Sequence, residues 1–584
     1  MPLTSGTLNS LRTRLARLYP DEDTDELLER LGVICSRHER DHSPPTVSRR
    51  WDESDTLLIT YGDSLTREDC TPLQALESFS STYLKSSIGI IHLLPFFPYS
   101  SDDGFSVINY RSVNPEVGNW EQVSRIGSDF DLMFDFVLNH VSRDSLWFAD
   151  FLENMPPGNR YFIEADPDDP RLKLVTRPRA EPLMVRIRTR HDVRHVWATF
   201  SKDQIDLNYA NPDVLLQALD ILLYYIRQGA RIVRLDAVAF LWKELGTSCI
   251  HLPQTHEVIK LMRDLMDDLA PEVILLTETN VPHKENVSYF GDGDEAHMVY
   301  QFSLPPLMLH AIYSGSTRYL RQWLQALEPA PPGCTFLNFT ASHDGVGLRA
   351  LEGIVPQDEV NDLLDAMRKR GGFISHRTQA DGSQSPYELN ISYFDALRDP
   401  DAYHDMWHIN RFLLSQTAAM SLQGVPAIYI HSLLATPNYQ EGVENTGRTR
   451  TINRRRWDLD ELTERLDDPG SAAHIVFNTL RKRLALRRQQ PAFHPDTRQL
   501  IFDLDDSLLA LQRVSPDGLQ TITCLYNFTA VAKTVRLNRI GLEGSLQSEL
   551  TDLISGDRPR GAIDSPASVV VPAYGCYWLT RDQA

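Results

Sequence analysis

The chain has 584 residues and a formal net charge of −21, with 79 acidic against 58 basic side chains. A chain of this length buries a large core and forms more than one domain. Its acidic balance disfavours nucleic acid and anionic membrane as partners, and none of its apolar runs has the length of a membrane-spanning helix. We therefore expect a multi-domain protein that acts on small molecules.

The amino terminus lacks the continuous apolar core of a signal peptide. Residues 1–50 instead show two amphipathic patterns, which predict a helical extension. The six cysteines are widely spaced, with neither a C-x-x-C pair nor a His cluster at zinc spacing. These features predict reduced structural thiols, no bound metal, a cytoplasmic location, and a monomer or homodimer.

Eight short apolar runs alternate with longer helical patterns, which is typical of repeated βα units in a parallel sheet. The predicted strands cover 56–62, 88–96, 130–139, 230–238, 272–280, 298–304, 335–344 and 425–433. Eight units predict an α/β fold with a closed (β/α)8 TIM barrel over 51–141 and 209–496. The active site of such a barrel lies at the carboxyl ends of its strands.

Three segments fall outside the regular repeat. Residues 142–208, rich in Pro, Arg and Asp, are too long for a βα loop and predict a small inserted domain after the third strand. Residues 345–400 form a second long excursion, a candidate lid, in which the polar stretch SHRTQADGSQSPYE has the composition of a flexible loop. From 497 to 584, short alternating strands predict a carboxyl-terminal β-sandwich.

Two carboxylates follow neighbouring predicted strands. Asp236 lies two residues after Arg234, so both side chains project to one face of a buried strand, and Glu278 ends the next strand. Taken alone, this pattern is equally typical of a structural ion pair between Arg234 and Asp236 that only orders the core. Two carboxylates about 5 to 5.5 Å apart are what retaining cleavage of a glycosidic bond requires. We expect Asp236, paired with Arg234, to be the ionised nucleophile and Glu278 the proton carrier.

Other strand ends contribute further polar groups. They are Asp135, Asn139 and His140 in DFVLNH, and His343 and Asp344 in ASHD. Each is singly more typical of a satisfied structural group. Together they supply the acceptors and imidazole donors that bind the hydroxyls of a sugar ring.

The segments DFVLNH, RIVRLDAV, LLTE and TASHD occur in order on the expected strands and resemble the four motifs of the α-amylase superfamily, glycoside hydrolase family 13. Members of that superfamily are retaining α-glucosidases and transglucosidases. The resemblance implies that Asp236 is the nucleophile, Glu278 the general acid/base and Asp344 the transition-state stabiliser. It further places around the glucose the side chains of Arg234, His140 and His343.

A finer resemblance, to the sucrose phosphorylase group, rests on LLITYGDSL, IHLLPFFPYSSDDGFSVINY, RPRAEPL, FSKDQIDLN and GRTRTINRRRW. It implies that Asp102 and Arg454 hold glucose hydroxyls and that Phe105 forms an apolar platform, although Phe105 is as typical of plain core packing. Arg179 in RPRAEPL resembles the phosphate-binding arginine of the group, a role that suits a forked guanidinium. Without the resemblance, Arg179 is simply a solvated surface arginine.

The acceptor side departs from the pattern of sucrose phosphorylases. Asn280 stands where those enzymes carry a histidine, Phe240 stands where they carry a tyrosine, and Phe200 completes the expected phosphate and acceptor contacts. Fructose is therefore not the expected acceptor. The arginine-rich run 185–195 would suit an anionic acceptor, but its pattern also predicts a solvated hairpin.

The resemblance implies phosphorolysis by double displacement, in which phosphate is a substrate and no cofactor is used. Phosphate attacks the glucosyl-Asp236 ester and releases α-D-glucose 1-phosphate. The acidic composition favours glucosylglycerol, a compatible solute, as the leading substrate. The alternatives are glucosylglycerate, sucrose 6-phosphate and sucrose, a retaining hydrolase or transglucosidase, and a non-catalytic barrel protein that Asp236, Glu278 and Asp344 together argue against.

Overall fold

A closed eight-stranded parallel barrel forms the centre of the computed structural model, which describes residues 3–39, 50–179, 181–378, 384–402, 405–562 and 565–581. Strands β1 to β8 of the barrel follow one another in chain order around the ring. They are Leu57–Thr60, Ile90–Leu93, Asp131–Phe136, Ala230–Leu235, Ile274–Thr277, Met298–Tyr300, Thr335–Asn338 and Val425–Tyr429. The prediction of a (β/α)8 barrel is confirmed, with strands shorter than the apolar runs that predicted them.

Helices between the strands cover the outside of the barrel. They include Pro72–Tyr83, Trp120–Ile126, Pro212–Arg227, Pro253–Leu269, His283–Val287, Leu304–Ser314, Arg318–Ala326, His408–Ser421 and Ala472–Arg487. Several begin at a proline or directly after a capping residue. One such cap is Asn211, whose side-chain Oδ1 accepts a hydrogen bond from the backbone N–H of Asp213. The strands are buried on both faces, which explains why they are apolar runs rather than alternating patterns.

Two helices at the amino terminus, Ser5–Leu18 and Thr24–Arg37, lie against the outside of the barrel. Arg14 in the first helix donates to Asp264 at 2.5 Å, and Arg37 in the second donates to Asp220 at 2.8 Å. Their apolar faces join the main core through Leu11 and the other buried leucines. Within the described ranges, no helix is both long and apolar enough to cross a membrane.

The inserted domain lies between β3 and β4. Its strands are His140–Ser142, paired antiparallel with Gln204–Asp206, and the hairpin Met184–Arg188 with Val193–Trp197. The hairpin contains nearly all of the arginine-rich run, in which Arg194 lies 3.1 Å from Glu164. These arginines therefore form a surface hairpin, the simpler of the two interpretations of that run.

The excursion after β7 folds into a helix, Gln357–Lys369, and a three-stranded sheet of Val346–Gly347, Gln384–Asn390 and Phe373–Thr378. The prediction of a flexible loop at 375–388 is wrong for the residues described there, because 375–378 and 384–388 pair as antiparallel strands. Residues 379–383 lie outside the described part of the chain. Leu389 pairs with both Ile374 and Val346, so a neighbouring strand stabilises a hairpin that composition alone did not reveal.

The carboxyl-terminal domain consists of two antiparallel sheets that enclose a separate apolar cluster. One sheet contains Gln499–Ile501, Leu508–Val514, Thr521–Asn527, Cys576–Arg581 and Leu550–Asp552, and the other contains Lys533–Arg536, Ser565–Val571 and Gly561–Ala562. Leu508, Leu525 and Val569 are buried in that cluster. This is the β-sandwich that the alternating pattern predicted.

Candidate active site

Asp236 and Glu278 lie side by side at the carboxyl ends of two adjacent strands. Leu235 of β4 and Thr277 of β5 are register partners, so the residue after each strand enters the same end of the barrel. Glu278 Oε2 accepts a hydrogen bond from the Ala237 backbone N–H at 3.0 Å. Ala237 has a φ of 50°, a left-handed conformation that is costly for a residue with a Cβ. The chain thus turns sharply behind Asp236 and holds Glu278 beside it.

Arg234 links Asp236 to a second buried acid. Its Nη1 donates to Asp236 Oδ1 at 2.7 Å and also to Asp135 Oδ1. The other oxygen of Asp135 lies 2.6 Å from His92 Nε2. One guanidinium therefore divides its charge between two carboxylates, and Asp135 is an internal partner of Arg234 and His92.

The pKa values of both carboxyls are raised, which the sequence did not indicate for Asp236. Burial raises the pKa of Asp236 well above its ordinary value and the charge of Glu278 adds to this rise, while Arg234 opposes it. Burial also raises the pKa of Glu278, and the charge of Asp344 contributes. Arg234 alone does not offset the burial of Asp236 because it also serves Asp135. Two buried, neighbouring carboxyls of this kind hold a proton between them.

Asp344 lies beside cationic side chains in the same site. Arg450 Nη1 is 2.6 Å from Asp344 Oδ1, and the rest of the Arg450 guanidinium binds Glu388 through two hydrogen bonds of 3.0 and 2.6 Å. Burial would raise the pKa of Asp344, but Arg450, His343 and Arg454 outweigh it and hold that pKa below its ordinary value. Asp344 is therefore ionised at neutral pH.

Several side chains predicted to surround a sugar ring converge on this pocket, whereas Asn139 binds Lys243 and Asp206 instead. The rings of Phe105 and His343 are stacked with their centroids 4.9 Å apart. His140 Nε2 lies 2.9 Å from the Phe105 carbonyl oxygen, and Gln204 donates to Asp102 Oδ2 at 3.1 Å. Burial lowers the pKa of His343 to about 3, so its imidazole is neutral at neutral pH. The site thus offers an apolar face together with neutral donors and acceptors.

Arg454 has internal partners that the sequence did not predict. Its Nε donates to the His343 carbonyl oxygen at 2.8 Å, and its Nη1 pairs with Asp103. Its Nη2 lies 3.8 Å from Asp344 Oδ1. Arg454 therefore braces the segment that carries His343 and Asp344 and leaves one nitrogen facing Asp344.

Three predicted acceptor residues lie on two sides of the catalytic pair. The rings of Phe200 and Phe240 meet edge to face at 82°, with centroids 5.4 Å apart. Asn280 lies beside Asp344 in a small cavity and packs against Gly347, where an added Cβ would fall 2.7 Å from the amide nitrogen. Phe200 and Phe240 thus form an aromatic wall, and Asn280 lies beside Asp344.

A larger cavity of about 540 Å³ opens at the mouth of the pocket. It is lined by Asp102, Arg179, Tyr387, Arg450, Arg454 and neighbouring polar residues. Burial would raise the pKa of Asp102, but Arg179, Arg450 and Arg454 lower it below its ordinary value. Arg450 and Arg454 are already ion-paired, whereas Arg179 has no hydrogen bond or ion pair to any described residue. Arg179 is therefore a cation able to bind an added anion.

Sequence reasoning missed Arg450 and Glu388. Arg450 stands in GRTRTINRRRW among five arginines, so the sequence offered no signal to distinguish it from Arg454. Glu388 belongs to the stretch predicted to be a flexible loop, and only the hairpin pairing brings it to Arg450. Among the described residues, no three His, Cys, Asp or Glu side chains converge as metal ligands.

Comparison with known proteins gives a consistent relationship. The alpha-amylase catalytic-domain family matches residues 82–330. Glucosylglycerate phosphorylases from Spirochaeta thermophila and Escherichia coli are each 45% identical, over 91% and 85% of this chain and 90% and 88% of their own lengths. The crystal structure of sucrose 6F-phosphate phosphorylase from Thermoanaerobacter thermosaccharolyticum superposes with a TM-score of 0.71 at 25% identity, over 83% of this chain and 96% of that one. The chain therefore belongs to the α-glucoside phosphorylases of the α-amylase family.

Proposed function

We propose that this enzyme catalyses the reversible phosphorolysis of an α-linked glucosylglycerate to α-D-glucose 1-phosphate and glycerate. Arg179 carries this assignment, because it lines the cavity at the mouth of the catalytic pocket and forms no hydrogen bond or ion pair with another described residue. Glycerate and phosphate are both anions and occupy the acceptor side in turn. One forked guanidinium is suited to both.

The relatives favour glycerate over the glycerol that the acidic composition suggested. Three glucosylglycerate phosphorylases are 44 to 45% identical to this chain, whereas the glucosylglycerol phosphorylase from Marinobacter adhaerens is 27% identical over 75% of the chain. Net charge describes solubility and not the substrate of a buried pocket. Glucosylglycerol therefore becomes the alternative substrate that an experiment has to exclude.

In the first half of the reaction, a carboxylate oxygen of Asp236 attacks the anomeric carbon while Glu278 gives its proton to the departing glycerate oxygen. Within the coupled pair, we assign the proton to Glu278 because it lacks the hydrogen bond from Arg234 that favours the ionised form of Asp236. The product is a glucosyl ester of Asp236. Ionised Asp344 stabilises the positive charge that develops on the ring.

In the second half, phosphate replaces glycerate on the acceptor side. Glu278 accepts a proton from phosphate, and the phosphate oxygen attacks the same face of the anomeric carbon, releasing Asp236. Two displacements restore the α configuration. Asp102, Phe105, His140, His343 and Arg454 hold the glucosyl unit throughout, and phosphate is a substrate, so the reaction uses no cofactor.

The second proposal within this function concerns the segment 345–400. Its hairpin brings Tyr387 and Glu388 to the cavity, where Glu388 binds the Arg450 that also binds Asp344. We infer that this segment closes over bound substrate and excludes water from the glucosyl ester. Limited proteolysis tests this inference: we expect slower cleavage within 345–400 with phosphate and glycerate present, and equal rates would contradict it.

The cellular setting is also a proposal. All six cysteines are free. Free thiols and a soluble phosphorylated product suit a reducing compartment, so we place the reaction in the cytoplasm.

The acceptor is tested in the direction of synthesis. The enzyme receives α-D-glucose 1-phosphate together with glycerate, glycerol, fructose 6-phosphate or fructose, and phosphate release is measured. We expect glycerate to give the highest kcat/KM. A preference for glycerol would restore the glucosylglycerol assignment, and hydrolysis of glucose 1-phosphate at one rate with every acceptor would indicate a hydrolase.

A further inference from the structure

Lys243 is a lysine whose side chain is buried where the inserted domain meets the barrel. That side chain is only 2% exposed, and its Nζ lies 2.7 Å from Asp206 Oδ2. Nζ also donates to Asn139 Oδ1 at 2.6 Å. Burial lowers the pKa of Lys243, and the charge of Asp206 opposes that fall. A buried ammonium is costly unless it is paired in this way.

The Asp206 carboxylate, which binds this ammonium, is the centre of a cage of hydrogen bonds. Its Oδ1 accepts the Thr199 backbone N–H at 2.8 Å, and its Oδ2 accepts the Thr199 hydroxyl at 2.6 Å. Asn139 adds a third donor to Oδ2 at 3.2 Å. Lys243 comes from the loop after β4, Asn139 from the end of β3, and Thr199 and Asp206 from the inserted domain. One cation therefore joins three separate segments of the active site.

The cage lies next to the aromatic wall on the acceptor side. Phe200 directly follows Thr199, and Phe240 precedes Lys243 by three residues. Phe200 also faces the His140 ring, with centroids 5.3 Å apart. A shift of Thr199 relative to Lys243 would therefore change the angle and distance at which Phe200 and Phe240 meet.

We propose that Lys243 is a positioning residue that sets the aromatic wall of Phe200 and Phe240 and thereby determines how well phosphate competes with water for the glucosyl ester. This inference rests on the proposed function, together with the acceptor contacts that the sequence resemblance implies for those two rings. A buried ion pair is often no more stabilising than apolar side chains of similar volume. The ammonium fixes the geometry of the three segments, and an apolar side chain would not.

The test replaces Lys243 with methionine, which keeps an unbranched side chain of similar length and removes the charge. The measured quantity is the ratio of glucose 1-phosphate to glucose formed from glucosylglycerate at fixed phosphate concentration. This ratio reports how one intermediate divides between phosphate and water, so it does not depend on how much enzyme is folded. We expect Lys243→Met to lower the ratio by about tenfold, since a misplacement of about 1 Å can cost about 10²-fold.

Two further variants keep the test decisive. Thr199→Val removes one hydroxyl hydrogen bond to Asp206 and is expected to lower the ratio by a smaller factor in the same direction. Lys260→Met is the matched control, because Lys260 forms an ion pair with Asp294 at 3.0 Å on the outside of the barrel. We expect Lys260→Met to keep the wild-type ratio within about twofold.

The outcomes separate this inference from the proposed function. If the wild-type enzyme releases no glucose 1-phosphate from glucosylglycerate, the proposed function fails whatever the variants do. If the wild-type enzyme does so, and Lys243→Met and Thr199→Val lower the melting temperature but keep the wild-type ratio, Lys243 only stabilises the fold and the inference is overturned.

Discussion

Replacing Arg179 with alanine removes the guanidinium proposed to bind phosphate and glycerate in turn, and leaves the catalytic carboxyl groups in place. Arg179 has no hydrogen bond or ion pair to any described residue, so its loss leaves no known internal partner unsatisfied. It lines the cavity of about 540 Å³ at the mouth of the pocket. The free energy of unfolding should therefore stay within about 0.5 kcal/mol of the wild-type value.

The effect on phosphate follows from the hydrogen bonds that a guanidinium forms with an oxyanion. A hydrogen bond between charged groups contributes about 1.5 to 3 kcal/mol. Taking about 3 kcal/mol for the forked contact as a whole, and 1.4 kcal/mol for each tenfold change, kcat/KM for phosphate should fall by about 100-fold. Hydrolysis of the glucosyl ester needs no anion site, so slow release of glucose should persist.

The assay measures glucose 1-phosphate and glucose together while the phosphate concentration is varied. Arg186→Ala is the matched control, because Arg186 is an exposed arginine of the surface hairpin in the same inserted domain. We expect the control to keep the wild-type dependence on phosphate. If Arg179→Ala kept that dependence as well, Arg179 would not bind phosphate; a loss in Arg186→Ala would place the anion site in the hairpin.

Four further predictions concern the carboxyl groups and the core. Because Glu278 must be protonated for the first step and burial raises its pKa, kcat/KM for glucosylglycerate should fall as pH rises through that raised pKa. It should also fall at low pH, where Asp236 becomes protonated. A pH–rate profile checks both limbs, and a flat alkaline side would contradict the role of Glu278. Glu278→Gln should also raise the free energy of urea unfolding at neutral pH by about 1 kcal/mol, because it removes a carboxyl that is destabilised by burial, whereas Asp236→Asn should lower kcat by about 10⁴-fold in single-turnover assays. Arg487→Met should cost about 3 kcal/mol or more in the same unfolding assay and leave the product ratio unchanged, since Arg487 is fully buried and donates to the carbonyl oxygens of Met420, Glu53, Gly424 and Phe493; unchanged stability would contradict that reasoning.

The barrel and its two central carboxylates could be predicted because both leave local signals. A strand buried on two faces is an apolar run, and a charged residue at its end interrupts that run at an identifiable position, as at Asp236 and Glu278. Pairing of consecutive strands then brings the two residues together. The sequence was therefore sufficient for this part of the site.

The rest of the site depends on contacts between residues distant in the chain. Arg450 binds Glu388 across 62 residues, and Lys243 binds Asn139 across 104, separations at which no sequence pattern indicates a partner. The polar residues 375–378 and 384–388 belong to paired antiparallel strands rather than to a loop. The sequence paired Arg234 with Asp236 alone and did not indicate that Asp135 also binds that guanidinium.

Phosphorolysis of glucosylglycerate is the central claim, and one measurement tests it most directly. The purified enzyme is incubated with glucosylglycerate in the presence and absence of phosphate, and the products are followed by NMR. We predict equal amounts of glycerate and α-D-glucose 1-phosphate that appear only with phosphate. Free glucose formed at the same rate with and without phosphate, or a β-configured product, would contradict the account.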